Sequence, residues 1–362
     1  MNNRILLLRS IPTKMKSLLL LLTSLCSLPL ASAAPLVFEG TDGPGKGKHI
    51  VFLASDHEYR TEETCPALAR ILAKHQGFKC TVLFGVDKDG HIEAGSSNVP
   101  DMDALDSADL LVIFTRFLNL PAGQMDHLVA YLDRGGPVVG LRTASHGFKI
   151  PANSPYAKYS FDSTVPGYEK GFGHQILGNT WVGHYGQNHK QATRIRILPD
   201  QKDNPILQGV GDGAVCLAGA YNGIAAPDFT VLTTSQPMVS MDRDAALDTS
   251  KPPVPSTWTR SYKTADGKEH RVFHSTQGAS EDILDPDYRR LLINGIFWAA
   301  GLESAIKPDL EIAFVGPYQP NTFSFGGHAK NVKPSDLAGW DSPIMPENPA
   351  QAPQKKDNTK KN

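Results

Sequence analysis

The sequence predicts an α/β fold, a flavodoxin-like, doubly wound, mainly parallel sheet. Three observations carry that expectation. Short apolar runs start at His49, Phe78, Asp109 and Pro137, with the Val, Ile and Leu content of strands buried on both faces. Between them lie stretches with helical spacing, one closed by Gly77 and another by Gly135-Gly136, where a helix C-terminus needs positive φ. Each run gives way to a polar loop, as parallel strands do where their carboxyl ends open toward a site.

In chain order, His49 to Ala54 is the first predicted strand and Ser55-Asp56-His57-Glu58-Tyr59-Arg60 the polar loop at its end. Thr61 is placed to cap a helix reaching about Gln76, with Glu62 and Glu63 in its first turn and Leu68, Ile71 and Leu72 on its buried face. Phe78 to Phe84 is the second strand, and Gly85 to Pro100 a long Asp/Gly/Ser loop. Asp109 to Phe114 is the third strand, ending at Thr115-Arg116; a helix from Pro121 leads to the fourth, Pro137 to Leu141, followed by Arg142-Thr143-Ala144-Ser145-His146. Pro151 to Tyr168, rich in Pro, Ser, Tyr and Asn, is expected to be an ordered loop covering the site, and Phe172 to Gly178 a short helical turn. Gln191 to Leu198 alternates as a half-buried strand. Val215 to Leu217, Thr230 to Thr233, Pro237 to Met241, Ser256 to Tyr262 and Arg271 to Thr276 read as further strands extending the sheet with antiparallel members. Asp287 to Trp298 has strong helical spacing and is closed by Gly301, which makes Trp298 a packing residue.

This order brings residues far apart in sequence to one rim: Asp56 to Arg60, Arg116, and Arg142 to His146. The elbow Gly140-Leu141-Arg142-Thr143-Ala144, the opening Asp56-His57-Glu58-Tyr59-Arg60, the pattern Thr115-Arg116-Phe117 and the stretch Gly173 to His189 resemble the ThuA-like (trehalose utilisation) family. That family has a class I glutamine amidotransferase-like fold without the nucleophilic cysteine; here the nucleophile position reads Arg142. The resemblance runs from about Lys48 to Pro334. It implies carbohydrate utilisation through oxidised (3-keto) glycosides or disaccharides.

The residues limit the chemistry. Arginine stays protonated and only donates hydrogen bonds, so Arg142 reads as a clamp for an anion or carbonyl. Thr143-Ala144-Ser145-His146-Gly147 lacks the first glycine of a serine-hydrolase elbow, and glutaminase chemistry is excluded unless Cys216 is recruited. The proton work then falls to His146, which Glu58 is placed to orient, or to Glu58 itself, in a lyase, hydrolase or isomerase. Against this stands a bland alternative in which Ser145 caps a helix and His146 packs on Phe148. His57, Arg60, Arg116, Trp181, His184, His189 and Trp258 complete the candidate substrate site. Trp181, Tyr185, Trp258 and Tyr262 are suited to meeting the apolar face of a pyranose. His184 and His189 lie five apart rather than the four of a zinc helix, so a divalent ion, zinc first, stays open without being required. A non-catalytic carbohydrate-binding protein and a metal-dependent hydrolase are the competing classes.

The 362 residues, 40% hydrophobic, suffice for a full core, and a net charge of -1 without a basic stripe argues against nucleic acid. Arg4, Arg9, Lys14 and Lys16 precede a leucine core and the small-residue ending Ala31-Ser32-Ala33, the pattern of a signal peptide, with Met15 as an alternative start. The expected organisation is a signal peptide over 1–33, a linker over 34–47, the domain over 48–316, a C-terminal arm over 317–341 and a disordered tail over 342–362. The mature chain is expected to be periplasmic or secreted, free of the membrane, binding a small carbohydrate; a homo-oligomer stays open. Export permits disulfides, yet Cys65 and Cys80 belong at opposite ends of the sheet, roughly 15 Å apart by helix rise, beyond the about 7 Å a disulfide spans.

Overall fold

The backbone follows the alternation of buried strand and amphipathic helix. The structure, a computed structural model, describes Met1 and residues 34–345. The signal-peptide reading and the tail beyond Met345 fall outside the described residues. Twelve strands are present among them: β1 (Leu36–Glu39), β2 (His49–Ser55), β3 (Lys79–Phe84), β4 (Leu110–Thr115), β5 (Val138–Leu141), β6 (Asn179–Tyr185), β7 (Thr193–Ile197), β8 (Val215–Cys216), β9 (Ala220–Ala225), β10 (Phe229–Pro237), β11 (Val254–Lys263) and β12 (Glu269–Ser275). The α-helices are α1 (Thr61–Gln76), α2 (Ala122–Asp133) and α3 (Pro286–Ala299). No helix of the described residues is long and apolar enough to cross a membrane.

Ten strands form one sheet in the order β1-β3-β2-β4-β5-β12-β11-β10-β7-β8, and β6 pairs with β9 in a separate ribbon. β3, β2, β4, β5 and β12 are mutually parallel. Counted along the chain they give the flavodoxin order 2-1-3-4-5, whose direction reverses between β2 and β4. β12 is thus the fifth parallel member rather than an antiparallel extension, since it pairs parallel with the edge of β5. Alternate residues feed the two faces. Ile50, Phe52, Val112, Val139 and Phe273 pack in one cluster with α1 and α3, while Val51, Leu53, Leu111, Ile113 and Val138 pack in the other with α2.

Several boundaries differ from the sequence reading. Residues 34–47 are not a free linker: β1 pairs antiparallel with β3, with Leu36 and Phe38 buried. A four-residue strand is too short for its alternation to stand out from the sequence. The cap of α1 is Arg60 in the left-handed region (φ 57), and Thr61 instead donates its hydroxyl to the Phe114 carbonyl at 3.1 Å. Of the strand expected at 237–241 only Pro237 is in a strand, as the last residue of β10; Met238 forms an isolated bridge with Leu247. The disordered tail does not begin at 342. The Ser342 carbonyl and hydroxyl both accept from Arg70 at 2.8 Å, and Ile344 and Met345 are buried. Arg70 is an α1 residue that the arm covers, so one buried guanidinium orders a segment whose composition reads as disordered. Cys65, Cys80 and Cys216 are free and buried, and burial pushes the Cys65 thiol up to about 12.

Candidate functional site

Three strand ends build the site, and each bends through a left-handed residue: Arg60 after β2 (φ 57), Phe117 after β4 (φ 53) and Arg142 after β5 (φ 41). Non-glycine residues held there store strain and concentrate where the fold over-determines a site. At the end of β2 the Asp56 carboxylate accepts from the Glu58 and Tyr59 amides at 2.7 and 2.5 Å, a tight turn that fixes the direction of Glu58. At the end of β4, the Arg116 amide donates to the Ser55 carbonyl and the Phe117 amide to the His146 carbonyl, each at 3.0 Å. The β5 elbow requires Gly140 because a Cβ there would lie 2.6 Å from the His274 ring on β12.

Glu58 is the hub. Its carboxylate is 1% exposed, yet Oε1 accepts from His189 Nε2 and from Asn188 Nδ2 at 2.9 Å each, and Oε2 lies 3.3 Å from the Arg116 guanidinium. Asn188 also donates to the Tyr59 hydroxyl at 2.9 Å. The His189 side chain is 42% exposed. With Nε2 donating to the carboxylate, Nδ1 is left as its proton-accepting nitrogen. Glu58 therefore orients His189, and not His146 as the sequence reading has it. The partner could not be read from the chain because 131 positions separate the two residues.

Arg142 lies beneath this group rather than in the cleft. It is fully buried, its guanidinium 3.8 Å from the Tyr59 ring centroid and 4.3 Å from that of Tyr221, and it donates to the carbonyls of Gly219 and Thr276 at 2.9 and 3.0 Å. The substrate-clamp role is corrected to a packing one: the elbow aims the side chain into a slot between two aromatic rings. His146 is also buried, 1% exposed, stacked on Trp181 at 4.5 Å with Phe117 at 5.0 Å. Burial, helped by Arg116 and Arg142, holds its imidazole well below the usual histidine range, so it is neutral at neutral pH. Ser145 shares a 3.3 Å contact with its Nδ1.

The β6–β9 ribbon, which the sequence reading did not find, supplies Trp181 and His184 from one strand and Tyr221 from the other. His184 is half-buried, with ring centroids 6.0 Å from Trp181 and 5.5 Å from Tyr221; burial and then Arg142 lower it to about 4. Other candidates are placed elsewhere. Arg60 is fully buried and donates to Glu62, to the Glu58 carbonyl and to the Ser324 carbonyl of the arm. Trp258 is a core residue, fully buried, its indole donating to the Leu177 carbonyl at 2.7 Å. Tyr262 is likewise buried and donates to Gly136, and Tyr185 reaches the Pro252 carbonyl. His57 lays its ring against Gly95. Cys216 is buried with its thiol raised well above the ordinary value, which removes it as a nucleophile. The sequence reading has Tyr59 on the rim only as part of Asp56 to Arg60 and does not single out Asn188, Tyr221, Phe323 or Phe325; for Asn188 the one signal is its place beside His189.

His174, His184 and His189 do not bring three ligating atoms within 4.8 Å of one another. Among the described residues the group that brings three ligating atoms within 4.8 Å is Asp87, Asp89 and His91 on the loop after β3. The 151–168 segment is ordered as expected and touches the site through Phe161, 4.9 Å from Phe117. It also forms, with Asn119 and Lys149, an open cavity of about 690 Å³ that holds none of the Glu58 or His146 group.

A family model described as ThuA, trehalose utilisation, matches residues 50–299, from the first parallel strand to the end of α3. The chain belongs to the ThuA family. Its core is the parallel sheet and its elbow. A solved protein described as ThuA-like from Parabacteroides merdae ATCC 43184 is 14% identical, with a TM-score of 0.46 over 77% of this chain and 98% of its own. A second, from Bacteroides uniformis ATCC 8492, is 13% identical, with a TM-score of 0.46 over 76% of this chain and 100% of its own. No curated protein matches.

Proposed function

We propose that this ThuA-family member is an exported enzyme acting on glycosides or disaccharides, their 3-keto forms included, by acid/base chemistry centred on Glu58 and His189. The observation that carries this reading is the half-exposed His189 imidazole held at 2.9 Å by a buried carboxylate. Such a pair fixes one tautomer and leaves the outer nitrogen as a base. A 3-keto group acidifies the neighbouring C–H; His189 Nδ1 takes that proton, and Arg116, 12% exposed and bridged to Glu58, donates to the developing enolate oxygen. Trp181, backed by His146, offers a ring face for the pyranose. The basic start, leucine core and Ala31-Ser32-Ala33 ending support cleavage near Ala34 and export.

The competing reading is a non-catalytic carbohydrate-binding protein, favoured by an elbow whose tip is a buried arginine in place of a nucleophile. Turnover separates the two. His189→Ala and Glu58→Gln are each expected to lower turnover of 3-keto-trehalose roughly 10²- to 10⁴-fold while the protein still binds it. Wild-type binding without turnover selects the second reading, and full turnover by both variants overturns the catalytic assignment.

A further inference from the structure

Beyond residue 299 the chain leaves the matched family region, and this part of it reaches the site. The arm is fastened on both sides of its contact. Upstream, Tyr318 donates to the Ser280 carbonyl at 2.7 Å, and the Asn321 amide and side chain both donate to the Glu63 carboxylate, at 2.8 and 2.7 Å. Buried Arg60 holds the Ser324 carbonyl. Downstream, Arg70 holds the Leu337 carbonyl at 2.9 Å. Between these anchors the chain forms no strand, and its two phenylalanines differ in exposure. Phe323 is 1% exposed, its ring 4.8 Å from His189 and 5.2 Å from Tyr59. Phe325 is 63% exposed, its ring 4.8 Å from the Arg116 guanidinium.

Phe325 stays in water although the segment that carries it is anchored on both sides, so its open face is held in one place and is available to a ligand. Its position suggests one. Arg116 lies over one face of the Phe325 ring and pairs with Glu58, which holds His189, so the ring stands near the acid/base pair with its second face open to solvent. An apolar face next to a donor is what a sugar ring requires, since its C–H face packs on the aromatic while its hydroxyls meet the donor. We infer that the C-terminal arm is part of the substrate site, with Phe325 a stacking platform for a sugar ring and Phe323 a positioning residue beneath His189. This inference rests on the carbohydrate reading above.

The test compares wild type, Phe325→Ala and Phe325→Tyr with trehalose and 3-keto-trehalose as probes, using calorimetric binding and steady-state kinetics. Phe325→Ala is expected to weaken binding and raise KM roughly three- to tenfold, with kcat and the melting temperature close to wild type. Phe325→Tyr, which keeps the ring face, is expected to restore KM. Phe323→Ala is expected to lower kcat more than it raises KM, because it frees the His189 ring. Wild-type binding that Phe325→Ala leaves unchanged overturns the arm assignment alone. Absence of binding of either probe by wild type overturns the carbohydrate reading and this inference with it.

Discussion

Replacing Arg142 by methionine separates a structural from a catalytic role for the residue that stands at the elbow. In the structure its guanidinium fills a slot between Tyr59 and Tyr221 and donates to the Gly219 and Thr276 carbonyls. Methionine fills much of the volume but leaves both carbonyls unpaired. Each charge-assisted hydrogen bond contributes about 1.5–3 kcal/mol, and each desolvated cation–ring contact about 0.5–2 kcal/mol. Relief of a buried charge returns part of that sum. A net loss of about 3 kcal/mol follows, which lowers the melting temperature of a chain this size by about 4 °C. Arg142→Lys is expected to lose most of the same stability, because an ammonium offers neither the planar stack nor the fork of donors. Thermal unfolding followed by circular dichroism reads the loss, and turnover measured well below the transition reads the function. Unchanged melting with collapsed turnover would refute the reasoning and return Arg142 to the cleft.

Two pH dependences follow from buried groups. Burial lowers His274 to about 3, so the unfolded chain takes up a proton near pH 6.5 that the folded state refuses until about pH 3. The stability this histidine contributes is present above pH 6.5 and lost as pH falls toward 3, and His274→Asn is expected to flatten the acid limb by about 1.4 kcal/mol per pH unit in denaturant titrations. Burial, with Glu62 next, raises Glu63 to about 8, and here the sign reverses. Its stability is present below about pH 4.3 and lost as pH rises through 8, so wild type is expected to weaken relative to Glu63→Gln between pH 5 and 8; parallel profiles would contradict that.

The sequence by itself determined the parallel core. Strands starting at His49, near Phe78, near Asp109 and near Pro137 are legible because residues buried on both faces must be apolar and because Gly77 and Gly135 end the intervening helices at positive φ. The motifs that resemble the family include Glu58, Arg116 and His189, the first two on those same strand ends. What the tertiary structure decided is which polar residues face solvent and which partner each takes. Arg60, Arg70 and Arg142 look alike in sequence to Arg116, yet three are sealed by the arm or by aromatic rings and one stays at the cleft. The pairing of Glu58 with His189, and the arrival of Phe323 and Phe325 from beyond the matched region, join residues more than 130 positions apart. Local periodicity reports burial along one element; it carries no record of which distant segment supplies the cover, and that cover sets the charge state and the exposure on which the chemistry depends.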